Sequence, residues 1–382
     1  MSNTWWKDAN ELVKEQADLL DIPTDRSLLI QGPPGSGKTN LLLLRANQLY
    51  LGDKPNLHVV VFGGLLKRFI QIGGAQYKFP PEKIVTDTRL FSGVLQAEHA
   101  DINTKGMSIT DARDARITRI EQLLKAGKIG KPFEALLLDE AQDYSPREIR
   151  ALRQMTGVLI ATADPRQRIY DVDDCNEALA ACTDQVYPLK YHFRNGTEIC
   201  RVADGIFKGD LSHISLIKHS NYNEKDYPSK VTLKKSLSLS EQATAIATQV
   251  TDQRFAYPND LIGVLCPLNE DLDAIQAGLH AAGLGDFITR ANSEYFDPSK
   301  PVWLSTLAAA KGLEFRAVHI AGLDNLHKTR GVQKRLIYTG ITRAKTALTL
   351  YWDRSIPGYL ESAIRVAEPA KAVTTNNIFG KA

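Results

Sequence analysis

Leu28-Leu29-Ile30-Gln31-Gly32-Pro33-Pro34-Gly35-Ser36-Gly37-Lys38-Thr39-Asn40-Leu41-Leu42-Leu43-Leu44 sets the frame for the whole chain. The short apolar run at its start reads as a strand buried on both faces. Gly32 to Thr39 fit G-x-x-x-x-G-K-[ST], and Asn40 opens a helix, so the motif has the strand–loop–helix context it requires. Glycines there let backbone N–H groups turn toward phosphate oxygens, and the helix N-terminus adds a favourable dipole. Lys38 is expected to reach the β- and γ-phosphates, and the Thr39 hydroxyl to ligand Mg²⁺. The candidate nucleotide-binding residues are therefore Gly32, Pro33, Pro34, Gly35, Ser36, Gly37, Lys38, Thr39 and Asn40.

Further apolar runs lie at 58–62, 135–138 and 157–161, and again at 261–265, 302–306, 317–321 and 347–351. Each is short, and helix-length segments separate them, which predicts α/β architecture with parallel sheets. A chain of 382 residues suits two domains. Residues 97–131 read as helical and charged, with one loop near Asn103. The polar stretch 208–230 reads as a long loop or a small insertion. Past Arg354 the chain, with Pro357 and Pro369, is expected to fray.

Asp139 and Glu140 follow the apolar run Leu136-Leu137-Leu138, at the strand end where ligands bind in such sheets. Asp139 would hold Mg²⁺ through its water shell, and Glu140 would orient and deprotonate an attacking water. An acidic pair in this place can also simply cap the next helix. Behind a phosphate loop in the same half it points to hydrolysis, since no acceptor-site signature for phosphotransfer is present.

Several longer stretches now fall into one order. Asp139-Glu140-Ala141-Gln142-Asp143 resembles motif II of superfamily 1 helicases of the UvrD/Rep type. Ala163 to Tyr170 resembles motif III, Leu189 to Asn195 motif IV, Thr306 to Phe315 motif V, and Arg335 to Ala344 motif VI. Gln16 sits where the family's adenine-reading Gln lies. The matches run from about residue 12 to 350 in the family's order. The resemblance implies two tandem RecA-like P-loop NTPase domains, 1–188 and 189–353, with an inter-domain ATP site and a tail at 354–382. It implies that Gln16 contacts adenine, Phe193 stacks on it, Gln167 senses the γ-phosphate, and Arg194 and Arg343 act as arginine fingers. Gly312 and Glu314 belong to the nucleotide set, Glu314 at the ribose. The implied activity is ATP hydrolysis with Mg²⁺, driving 3′-to-5′ stepping along single-stranded DNA, with RNA left open. An alternative keeps the same cleft as a nucleic-acid-gated motor or sensor for a partner nuclease or effector.

The nucleic-acid side departs from the family. Val172 stands where an aromatic residue often stacks a base, Ala308 replaces a His, and Gly63-Gly64 follow Phe62. Strand-contact candidates are Phe62, Lys67, Arg68, Thr86, Arg89, Phe91 and Thr306. Core packing is the competing role for Phe62 and Phe91, and a solvated helix face for Lys67 and Arg68. About 45 residues separate motifs Ib and II and about 110 separate IV and V. That leaves room for a short helical piece at 97–131 and little else of the family's accessory insertions. Trp5-Trp6 offers an anchor for a partner or packs on the first helix.

Composition bounds the rest. Lys plus Arg total 47 against 44 Asp plus Glu, a net charge of +3 that neither demands nor excludes nucleic acid. The four Cys form no C-x-x-C pair, so neither a zinc site nor a disulfide framework is expected. No apolar run approaches the ~18 residues of a membrane span, and the N-terminus is too polar for a signal peptide. These features predict a cytoplasmic protein without a membrane partner.

Overall fold

The computed structural model describes residues 9–73, 77–169, 173–211, 213–291, 295–329 and 332–367. The Trp5-Trp6 pair, Tyr170 and Val172 lie outside them. In the first half the chain runs α1 (Lys14–Leu20), β1 (Leu28–Gln31), α2 (Lys38–Leu51), β2 (Leu57–Val61), α3 (Gly64–Gly73), β3 (Ile84–Thr86), α4 (Asp87–Ala97) and α5 (Ile109–Lys125). It continues β4 (Phe133–Leu138), α6 (Pro146–Gln154), β5 (Thr156–Ala163), α7 (Asn176–Ala181) and β6 (Gln185–Pro188). The second half holds α8 (Thr197–Ile206), β7 (Lys230–Lys234), α9 (Leu239–Ala256), β8 (Ile262–Cys266), α10 (Asn269–Ala281) and β9 (Ile288–Arg290). It ends with β10 (Val302–Thr306), β11 (Phe315–Ile320), α11 (Gln333–Ile341), β12 (Ala344–Tyr351) and α12 (Gly358–Ala367).

Among the described residues the strands form two six-stranded sheets, in the orders β3-β2-β4-β5-β1-β6 and β7-β12-β11-β8-β10-β9. Every pairing is parallel. Two parallel sheets flanked by helices are consistent with RecA-like units. All eight apolar runs read from the sequence are strands. The four remaining strands, β3, β6, β7 and β9, are the sheet edges.

Helix α2 carries Leu41 to Leu44 all buried, because it lies between sheet and neighbouring helices rather than on the surface. Its Arg45 is fully buried too, donating to Leu20 O and Pro23 O past the end of α1. Ser145 and Glu148 form a capping box that starts α6, with Pro146 in its first turn. The 97–131 segment is a loop around Asn103 followed by the charged helix α5, and Arg147 of α6 reaches its Glu121 at 2.5 Å. One expectation needs correction. The chain beyond Arg354 does not fray at once. Leu360 and Ala363 of α12 are fully buried, and α12 lies so close to α8 that a Cβ on Gly205 would meet Ala363 Cα at 2.7 Å. Pro357 stands just before the first turn of α12, where proline is compatible with a helix start. Residues 368–382 lie outside the description.

One apolar cluster runs through both halves. Phe69 of α3 meets Trp303 of β10 edge to face at 6.3 Å, and Leu66 lies against Gly312. The seam between the sheets is thus partly a hydrophobic interface. No helix among the described residues is long and apolar enough to cross a membrane.

Candidate active site

The register places Gln31 beside Ala163 and Leu138 beside Ala161, so β1, β4 and β5 end side by side. The loops that follow therefore converge at the carboxyl edge of the first sheet, where parallel α/β folds bind ligands. Gly35 and Gly37 both have positive φ, at 74° and 85°. A Cβ would also collide at each, 2.4 Å from Arg194 Cβ at Gly35 and 2.9 Å from Gln16 Nε2 at Gly37. Glycine is required at these positions for backbone conformation and close approach alike. Gln16 donates to Ser36 O at 2.9 Å and accepts from the Val13 amide at 3.3 Å, which seats α1 on the loop. Lys38 Nζ donates to Gly32 O and Pro33 O, each at 2.9 Å. Burial pulls the Lys38 ammonium below the ordinary lysine value, while Asp164 and Glu140 oppose that.

Thr39 donates its hydroxyl to Asp139 Oδ2 at 2.9 Å, and Thr162 donates to Oδ1 at 2.6 Å. Burial and the neighbouring Glu140 raise the Asp139 carboxyl above its usual range. Glu140 adopts left-handed backbone, φ 52°, which costs a non-glycine residue about 1–3 kcal/mol. Gln142 holds it there, donating to Glu140 Oε2 at 2.5 Å while accepting from the Asp164 amide at 3.1 Å. Burial alone would raise the Glu140 carboxyl. Lys311, Lys38 and Arg343 outweigh it and keep the group below the usual carboxylate range.

The second half supplies the opposite wall. Arg343, 1% exposed, donates to Thr339 O at 3.0 Å, Leu313 O at 3.1 Å and Gln167 Oε1 at 3.0 Å. All three acceptors are neutral, and Arg343 forms no ion pair among the described residues. Arg194 donates to Thr342 O at 3.3 Å and pairs with Glu314. Burial disfavours the charge on both guanidinium groups, and their mutual repulsion adds to it at Arg194. Arginine keeps its proton in proteins, and the neighbouring Glu140 offsets part of that cost at both groups. Phe193 donates its amide to Gly35 O at 3.0 Å, tying motif IV to the loop through backbone.

These groups line one cleft, which brings together Pro34, Gly35, Gly37, Lys38, Thr39 and Asn40 with Glu140 and Gln167. Arg194, Gly312, Glu314 and Arg343 close it from the other side. Gly32, Pro33 and Ser36 complete the loop behind it, Gln16 braces it, and Phe193 stands beside it rather than among the lining side chains. Asn40 accepts from the Tyr77 hydroxyl at 2.8 Å. Two residues given no role by sequence reasoning are also here. Phe69 lines the cleft, and nothing in its apolar helix distinguished it. Lys311 places its Nζ 2.6 Å from Asp143 Oδ2 and 3.6 Å from Glu140 Oε2. Its signal was available, as the first residue of Lys311-Gly312-Leu313-Glu314-Phe315.

The strand-contact candidates are dispersed. Phe62, Thr86 and Thr306 stand at the ends of β2, β3 and β10, on the carboxyl rims of their sheets. The Phe62 ring meets Tyr144 edge to face at 5.3 Å, and the Arg113 guanidinium lies over it at 4.9 Å. Thr86 caps α4 by accepting from the Arg89 amide, and the Arg89 side chain is exposed. Arg68 is exposed and lies 5.6 Å from the Phe296 ring, with Lys67 half-buried beside it. Phe91 needs correction: at 3% exposure it sits in the core under α4, because that face of the helix packs on the sheet, and it offers no ring face to a base.

Residues 301–351 match the UvrD-like helicase C-terminal domain. This stretch contains β10, β11, α11 and β12, and with them Gly312, Glu314 and Arg343. Among solved structures, one described as the C-terminal domain of a possible DNA helicase from Lactobacillus plantarum WCFS1 is similar at 19% identity. That likeness covers 45% of this chain and 93% of the other, with a TM-score of 0.33. No curated protein matches the chain.

Proposed function

We propose that the chain is an ATP-driven motor on single-stranded nucleic acid, a helicase or translocase of 3′-to-5′ polarity. It would be built from RecA-like units at 1–188 and 189–353, with the nucleotide at their seam. The observation that carries this reading is a pair of cations facing one another across the cleft, Lys38 and Arg343, each hydrogen-bonded only to neutral acceptors. The nearby carboxylates of Glu140 and Asp164 offset the burial of these two charges only in part, and a polyphosphate would supply direct partners. The match of residues 301–351 to a helicase C-terminal domain supports the same class.

The residues also suit a magnesium ion. Thr39 hydroxyl and Asp139 carboxylate lie within hydrogen-bond distance, a hard oxygen pair of the kind Mg²⁺ uses beside water and phosphate. When bound, Mg²⁺ neutralises charge on the β- and γ-phosphate oxygens. Lys38 would leave the loop carbonyls for the phosphates. Glu140, held ionised by its cationic neighbours, would take the proton of the attacking water. Gln167 and Arg343, already joined, would meet the γ-phosphate together, and Arg194 would exchange Glu314 for it. Losing the γ-phosphate removes the anion that holds the two guanidinium groups at the loop, and the seam relaxes.

The test is ATPase rate with and without single-stranded DNA, followed by unwinding of forked duplexes carrying a 3′ or a 5′ tail. Strong stimulation by single strands and unwinding from the 3′ tail are expected. An ATPase indifferent to nucleic acid would refute the motor reading.

A further inference from the structure

We propose that Lys311 is a positioning residue, a clasp between the two sheets that makes the hydrolytic geometry of Glu140 and Gln167 depend on the seam being seated. The proposal rests on the nucleotide reading above and deepens it. Lys311 belongs to the turn after β10, in the second half, yet none of its ammonium contacts is in that half. Nζ donates to Asp143 Oδ2 at 2.6 Å and to Gln167 O at 2.5 Å, and it forms an ion pair with Glu140 Oε2 at 3.6 Å. Two hydrogen bonds and one ion pair thus reach across from the second half to the first. The partners come from two loops, those after β4 and β5, which carry the proposed base and the proposed γ-phosphate sensor.

The clasp is held rigid from both ends. Lys311 is 8% exposed, and its turn is fixed by Ala310 N to Thr306 O at 3.0 Å and Leu313 N to Ala310 O at 3.0 Å. The next residue, Gly312, has φ 82°, and its Cα is pressed so near α3 that a Cβ would lie 2.6 Å from Leu66. On the other side Arg113 donates to Asp143 O at 2.9 Å and pairs with Glu148 at 2.6 Å. Among the described residues Asp143 Oδ1 is buried without a hydrogen-bond partner, and Lys311 is the one cation paired with this carboxylate. If the sheets part, a single motion withdraws the cation from Asp143 and Glu140 and frees the Gln167 carbonyl. Hydrolysis is then confined to the closed seam, while the loop that binds the phosphates, all within the first half, is left intact.

The experiment compares Lys311→Met, Lys311→Arg, Asp143→Asn and the Lys311→Met/Asp143→Asn pair in the full chain. Steady-state ATPase gives kcat and KM, and a fluorescent ATP analogue gives nucleotide affinity. Lys311→Met keeps the apolar stem, so packing survives while the charge is lost. Its kcat should fall roughly 10²-fold, the scale of a misplaced reacting group, with KM and analogue affinity within about threefold. The double variant should be no slower than Lys311→Met, because the contact that Asp143→Asn weakens is already lost with the lysine. Lys311→Arg should recover most of the rate. A kcat within threefold of wild type, an equal loss of nucleotide affinity, or multiplicative effects in the pair would overturn the proposal. Hydrogen–deuterium exchange separates it from the reading it rests on. If the wild-type chain hydrolyses no ATP, that reading fails, and the clasp still stands or falls on exchange. Segments 140–143 and 308–313 should both exchange faster in Lys311→Met, and unchanged exchange in either overturns it.

Discussion

Replacing Gly35 by alanine probes the seam with a single methyl group. Its φ of 74° costs an alanine about 1–2 kcal/mol wherever it occurs. The added Cβ would in addition stand 2.4 Å from Arg194 Cβ. Ordinary carbon–carbon contact is about 3.5–4.0 Å, so loop and arginine must separate by at least roughly 1 Å. A displacement of that size at a reacting centre costs on the order of 10² in rate. Gly106→Ala is the control, because Gly106 has φ 84° with nothing within 4 Å of a Cβ. Both variants should lose the backbone energy, seen as a fall of a few degrees in Tm. Only Gly35→Ala should lose ATPase, by about 10²-fold in kcat. Equal kcat in the two variants would mean that Arg194 does not work against this loop, and the reasoning from the seam would be wrong.

Other expectations follow from single contacts. Glu140→Gln should lower kcat by about 10²–10⁴ while still binding an ATP analogue, and Lys38→Ala should lose both; substantial hydrolysis by Glu140→Gln would identify another base. Leu360→Ala should lower unfolding free energy by about 2–5 kcal/mol in urea titrations, since Leu360 is fully buried between α12 and α8; an unchanged midpoint would mean that α12 does not dock. His319 is buried, bonded to the Tyr351 hydroxyl at 2.9 Å and Gln253 Oε1 at 2.8 Å, and desolvation pushes it down to about 3. The unfolded chain takes up that proton near pH 6.5 and the folded chain does not, so this contribution is complete above pH 6.5 and is lost as pH falls toward 3. At pH 5 the loss is about 2 kcal/mol, and His319→Gln should remove that part of the pH 7-to-5 slope; an identical slope contradicts the assignment.

What could be read from residues alone was the interior. The central strands, such as Leu136-Leu137-Leu138, are buried on both faces and leave unbroken apolar runs. The edge strands do not. Gln185-Val186-Tyr187-Pro188 is mostly exposed and ends in proline, and Lys230-Val231-Thr232-Leu233-Lys234 carries lysine at both ends, so neither shows the pattern of a buried strand. The loop glycines and the acidic residue Glu140 could be expected to meet because the motif constrains residue type and spacing together, and the structure does bring them to one cleft. Lys311 was in plain view but lacked a meaning until the fold placed it against Asp143, 168 residues away in the chain. Phe91 misled for the opposite reason. An aromatic near a strand end looks the same in sequence whether it faces solvent or the sheet, and only the rotation of α4 decides.

The account stands on a nucleotide held at the seam by Lys38 and Asp139 from one sheet and by Arg194 and Arg343 from the other. A crystal structure with ADP, aluminium fluoride and Mg²⁺ tests it most directly. It should show the fluoride group bonded to Lys38 and to both guanidinium groups, with Arg194 released from Glu314. ADP in the Gly32–Thr39 loop with Arg194 still on Glu314 and neither guanidinium group touching the fluoride would contradict it.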